Sequence, residues 1–96
     1  MSDVVRLCIT EPCYNYVEAG VADVCYALRT GEPVVVAEHV VEYHPMYRGE
    51  RVETLLEWDG DRLIIYWVGE DRGYITGYEV LNTREILEKA KDVCRG

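Results

Sequence analysis

The 96-residue chain sets 18 Asp and Glu against 10 Lys and Arg, a formal charge of −8, and 49% of its residues are apolar. That length supports one core burying roughly 60–65% of the unfolded chain's surface, and the apolar content excludes disorder. The acidity excludes duplex nucleic acid and anionic membranes as partners, since phosphate binding needs clustered Lys or Arg; no apolar run approaches the ~20 residues of a bilayer span.

Residue usage is skewed. Gln and Phe are absent, Asn occurs only at Asn15 and Asn82, Ser only at Ser2, and Arg outnumbers Lys by eight to two. Scarce thermolabile amides beside many charges are the pattern of hyperthermophile proteins, so a hot-living archaeal source, or a virus of one, is expected. The start, MSDVVRLC, has no basic segment followed by a long apolar one, so the cytoplasm is the expected compartment. Cys8, Cys13, Cys25 and Cys94 allow three pairings, among which the sequence does not choose. None forms a CxxC, which sets aside thioredoxin and zinc-ribbon chemistry. Because intracellular disulfides are frequent in hyperthermophiles, these four are candidate disulfide cysteines, with buried thiols as the alternative.

Residues 3–9 alternate weakly and predict a first strand, with Val5, Leu7 and Ile9 on one face and Arg6 and Cys8 on the other. From 11 to 30 the spacing predicts a helix: Thr10 as N-cap, Pro12 in the first turn, a stripe of Cys13, Val17, Val21, Val24 and Leu28 with Cys25 beside it, and Gly31 as the stop. A later start capped by Asn15 is the alternative, and Gly20 would mark a close approach to the sheet. Residues 33–43 are β-branched and predict a strand, with Val35, Ala37, His39, Val41 and Tyr43 on one side and Val34, Val36, Glu38, Val40 and Glu42 on the other. Strands follow at 51–58, 62–68 and 73–80. The Asp59–Gly60 hairpin signal separates the first two, and GEDRG separates the last two. The final helix opens at Asn82 with Glu85 in a capping box and buries Ile86, Ala90, Val93 and Cys94, flanked by Leu87.

The predicted order is β-α-β-β-β-β-α in a single domain, 1–96: an α+β two-layer sandwich with a mainly antiparallel sheet and both helices on one face. The first strand would join a meander strand in parallel through a right-handed crossover. The opposite sheet face would carry Glu38, Glu42, Glu53 and Glu57 mixed with Val34, Val36, Leu55 and tyrosines. Helix, meander and helix in an acidic chain resemble frataxin-like sandwiches at the level of fold, although the first helix lacks an acidic ridge and no family motif is present.

No catalytic frame emerges. His39 and His44 are the only side chains suited to proton transfer near neutral pH. A metal site would need a further ligand such as Glu42, Glu50 or a cysteine, so no metal or cofactor is expected, with His39 partly buried and His44 exposed. A Cys–His pair would have to be assembled by the fold, for instance Cys8 or Cys13 with His44. Glu53 and Glu57 on one strand stand too far apart to share a proton, and no phosphate-cradling glycine loop exists. The stretch YHPMYRG instead groups Tyr43, His44, Met46, Tyr47 and Arg48 around Pro45. Tyr and Arg dominate interface hot spots, and a stiff loop loses little entropy on docking. These five residues form a candidate interaction loop, against the structural alternative that Met46 and Tyr47 fold back over the core edge.

The leading expectation is therefore a non-catalytic binding or accessory protein acting through protein–protein contacts. It would dock to a partner or to itself as a homodimer, using the open sheet face or the edge strand 33–43. The alternatives are a small enzyme or ligand sensor with a pocket of His39, His44, cysteine and tyrosine side chains and, more weakly, single-stranded nucleic-acid binding on the aromatic sheet face.

Overall fold

The β-branched and aromatic runs form strands because their side chains fit a pleated, half-buried surface. A computed structural model describes residues 4–42, 45–46, 48–71 and 73–94. The fold is α+β, in the order β1 (Val4–Cys8), β2 (Tyr16–Gly20), α1 (Val21–Thr30), β3 (Val34–Val40), β4 (Arg51–Trp58), β5 (Leu63–Gly69), β6 (Gly73–Glu79) and α2 (Thr83–Val93). β1 and β2 form a two-stranded sheet; β3-β4-β5-β6 form a four-stranded one, and every pairing is antiparallel.

The predicted helix over 11–30 exists only in its second half. Residues 9–15 turn the chain back instead. Cys8 is disulfide-bonded to Cys13, the Thr10 hydroxyl donates to the Pro12 carbonyl (3.0 Å) and accepts from the Asn15 amide (3.1 Å), and the Ile9 amide donates to the Asn15 carbonyl (3.0 Å). Thr10 thus closes a loop rather than capping a helix, and Cys13 leaves the helical stripe. Tyr16–Gly20 then runs back along β1 with Leu7 opposite Val17 and Cys8 opposite Tyr16, so β1 finds an antiparallel partner in β2 and makes no parallel crossover. YVEAG alternates as a strand should, Ala19 buried and Tyr16 and Glu18 exposed. Gly20, expected mid-helix, is the extended N-cap of α1. A Cβ there would meet only Asp23 at 3.7 Å, so the expected close approach to the sheet is absent. The stop at Gly31 is as expected: its φ of 73° is left-handed and its amide caps Ala27.

The four-stranded sheet has a bulge in each edge strand. In β3 the register shifts between Val35 and Ala37, and in β6 Thr76 faces Trp67 while Tyr74 faces Val68, leaving Ile75 over. The β3 bulge corrects the predicted faces. Val34 pairs with Leu56 and Val35 with Leu55; Val34 and Val36 pack against the core, whereas Val35 is 41% exposed. A strict alternation cannot run through an extra residue.

One core cluster joins Val5, Leu7 and Ala19 of the hairpin, Val24 and Ala27 of α1, Ile86 of α2, Val80, and Leu56, Leu63 and Ile65 of the sheet. Asn82 stands at the N-cap of α2, but its side chain makes no capping hydrogen bond and the expected capping box with Glu85 is absent. Its side-chain oxygen accepts from the Cys8 amide (3.0 Å) and its amide donates to the Arg6 carbonyl (2.9 Å), while the Leu81 amide donates to the Cys8 carbonyl (2.8 Å). The free edge of β1 is thereby satisfied by the start of α2. A second disulfide, Cys25–Cys94, ties α1 to the end of α2. Val93, predicted buried, is 47% exposed.

Candidate functional site: the open sheet face

Side chains alternate across β4 and β5, so whatever faces the core leaves its neighbours facing out. Leu56, Leu63 and Ile65 point inward. The outward set, read through the register, is Val35 and Glu38 of β3; Glu53, Leu55 and Glu57 of β4; Ile64, Tyr66 and Val68 of β5; and Tyr74, Gly77 and Glu79 of β6. Val35, Leu55, Tyr66 and Gly77 form one cross-strand row. All of these positions are half-buried or exposed, Tyr74 the most at 68%.

The centre of this face is a groove of about 210 Å³ lined by Glu57, Ile64, Tyr66, Tyr74 and Gly77. Its geometry follows from the missing side chain at Gly77. A Cβ there would stand 3.0 Å from the Tyr74 hydroxyl and 3.4 Å from Tyr66 Cβ, so glycine lets the Tyr74 side chain cross its own strand toward Tyr66. The two rings sit 6.2 Å apart, inclined by 37°, and form an open notch. The Tyr66 hydroxyl donates to Glu57 Oε1 at 3.0 Å. Burial first, then the hydrogen bond and charge of Glu57, raise the Tyr66 phenol above its ordinary pKa, so it stays a donor.

The charges on this face are unevenly satisfied. Glu38 pairs with Arg51 at 3.4 Å, and Arg62 is shared between Asp59 at 3.4 Å and Glu79 at 3.5 Å. Exposed pairs of this kind contribute at most ~1 kcal/mol. Glu53 and Glu57, both half-buried, have no cationic partner among the described residues. Glu38 and Glu53 are direct cross-strand neighbours, an unfavourable like-charge arrangement.

The other candidate residues fall elsewhere. Of the interaction loop, Met46 is 63% exposed and Arg48 is exposed, while Tyr43, His44 and Tyr47 lie outside the described residues. The chain on either side of that loop is held by Val41 N–H to Glu50 O (3.0 Å) and Gly49 N–H to Val41 O (2.7 Å), which prolong the β3–β4 hairpin. His39 is exposed rather than partly buried, its ring set edgewise against Trp67 at 5.0 Å. Cys8, Cys13, Cys25 and Cys94 are all consumed in disulfides, so none is a thiol available to His39. Among the described residues no three His, Cys, Asp or Glu side chains converge as a metal site, and no helix is long and apolar enough to cross a membrane.

Sequence reasoning placed Glu53, Leu55 and Glu57 on the open face but missed the notch. RLIIYWV is apolar on both sides and hides whether Tyr66 or Trp67 faces out; the signal that could have found the notch is Gly77, a glycine inside a strand between two tyrosines. No known protein family matches the chain, and no curated protein or solved structure does either, so the frataxin-like resemblance finds no counterpart among solved structures.

Proposed function

We propose that the protein is a small non-catalytic docking module that works by protein–protein contact through the open face of its four-stranded sheet. The observation that carries this is the contiguous surface of Val35, Leu55, Ile64, Tyr66 and Tyr74, which the described elements leave uncovered. Patches of apolar and aromatic side chains rimmed by charge are typical of interaction sites. The face, rather than an edge, is the docking element: both edge strands carry bulges, a feature that discourages strand-to-strand addition.

A second copy is a poorer occupant than a different protein. The outward set holds Glu38, Glu53, Glu57 and Glu79 against Arg51 and Arg62 at its rim, so two such faces would oppose like charges. The residue usage supports a hot-living archaeon, or a virus of one, as the source, a setting in which the two cystines are compatible with the cytoplasm.

Selection from a random peptide library on the immobilised protein tests the proposal. A convergent motif is expected whose binding is lost on Leu55→Asp or Tyr74→Ala and kept on Tyr14→Ala, an exposed position on the 9–15 turn. A motif indifferent to the face variants, or no motif at all, overturns it. Sedimentation across micromolar concentrations should show a monomer; a dimer dissociated by Leu55→Asp would make the second copy the occupant.

A further inference from the structure

We infer that the Tyr66–Tyr74 notch receives a cationic side chain of the partner, arginine in preference to lysine, with Glu57 as its counter-ion. This rests on the docking role proposed above and names the chemistry of its centre.

Three features of the groove converge on that occupant. It is lined by two tyrosine rings inclined by 37° with centroids 6.2 Å apart, and a tyrosine ring attracts a cation placed over its face within about 6 Å of the centroid. Its end is Glu57, whose Oε1 is taken by the Tyr66 hydroxyl at 3.0 Å and whose Oε2 accepts no hydrogen bond from the described residues. Tyr66 therefore orients the carboxylate and leaves one oxygen for an incoming donor. Its floor is Gly77, whose missing side chain lets the Tyr74 ring lean in beside Tyr66. A purely apolar guest would leave the half-buried Glu57 without a cation in a less aqueous setting, a costly outcome; an anionic guest would meet repulsion.

The chain's own cation nearby does not fill the role. Arg62 lines the adjoining surface with Ile64, Tyr74 and Gly77, but its guanidinium is engaged by Asp59 and Glu79. Arginine is favoured over lysine because its planar guanidinium stacks on a ring and still offers in-plane N–H groups to a carboxylate. A second cation on the partner would meet Glu53, which lies on the same strand roughly 13 Å from Glu57.

The probe is N-acetyl-arginine methylamide titrated into the isotope-labelled protein and followed by amide shifts. Saturable shifts are expected at Tyr66, Tyr74 and Gly77, weakening with added salt. The neutral citrulline analogue should shift them far less. Tyr74→Leu, which keeps an apolar wall but removes one π face, should weaken the arginine probe by about 2- to 5-fold, and Glu57→Gln, which keeps an oxygen to accept from Tyr66 but loses the charge, should weaken it as well. Equal binding of arginine and citrulline probes, or no shift at these three residues, overturns the inference. Library peptides that bind the face without Arg or Lys would also overturn it and leave the docking role standing. If no peptide motif emerges, the docking role fails by itself, and the small probe still judges the notch.

Discussion

Replacing Cys25 and Cys94 together by alanine removes a cross-link between residues 69 apart in sequence, and replacing Cys8 and Cys13 removes one between residues 5 apart. In the chain-entropy account the penalty depends on the length of chain that each bond closes in the unfolded state. The long loop corresponds to about 4 kcal/mol and the short one to about 2 kcal/mol. Packing losses are small at Cys25 and Cys94, which are half-buried and each give up one sulfur atom, and larger at Cys8, which is 8% exposed, but they remain below the difference between the two loops. At about 0.2 kcal/mol per kelvin of unfolding entropy for a chain this size, the expected falls in thermal midpoint are about 20 °C and about 10 °C. Denaturant titration and calorimetry of the two double variants without reductant measure both. Dithiothreitol should lower the wild-type midpoint further than it lowers either variant. Equal losses in the two variants, or a greater loss from the short loop, would refute the entropic reasoning.

Three further outcomes follow from particular contacts. Asn82→Ala should cost about 1–3 kcal/mol, because it removes partners from the Cys8 amide and the Arg6 carbonyl; hydrogen exchange should quicken at Cys8, whereas a helix-capping role would quicken it in the first turn of α2. Val34→Asp should be severely destabilising, by several kcal/mol for a charge placed against the core, and Val35→Asp should cost under about 1 kcal/mol; urea midpoints decide, and the reverse ranking would move the bulge. Because the Tyr66 pKa is raised in the folded state, its proton contributes stability that is present below the ordinary tyrosine value and is lost as pH rises through the folded one. Glu57→Gln should bring that pKa part of the way down in an ultraviolet pH titration, the effect of burial remaining; no change at all would mean that Glu57 does not face the phenol.

The presence and approximate bounds of β4, β5 and β6, the faces of β4 and the end of α1 at Gly31 were readable from the sequence. In each case the signal is local: alternation against one core face for β4, turn chemistry at Asp59–Gly60 and Gly73, a left-handed glycine after the last helical turn. The YHPMYRG stretch shows where that ends. Its composition marks a candidate interaction loop, of whose described residues Met46 and Arg48 are exposed, yet the groove on the open face is assembled from residues 57, 64, 66, 74 and 77, three separate strands that no window of sequence brings together. Only the β4–β5–β6 register sets Glu57 beside Tyr66 and leaves Tyr74 leaning over Gly77.

The sequence by itself determined the α+β class, the acidic character, the meander and the amphipathic stripe around Ile86, because each is a property of short windows and their periodicity. The tertiary structure alone decided the fate of residues 11–20, the pairing of the four cysteines and the orientation of Val34–Val36. Helical spacing of Cys13, Val17 and Val21 was real in the sequence, but a cross-link from Cys8 to Cys13 and an unpaired β1 edge outweighed it. Helix propensities differ by only about 0.7 kcal/mol per ordinary residue. Closing a covalent loop and satisfying five residues of strand backbone are larger effects, and both depend on partners that the local pattern does not contain.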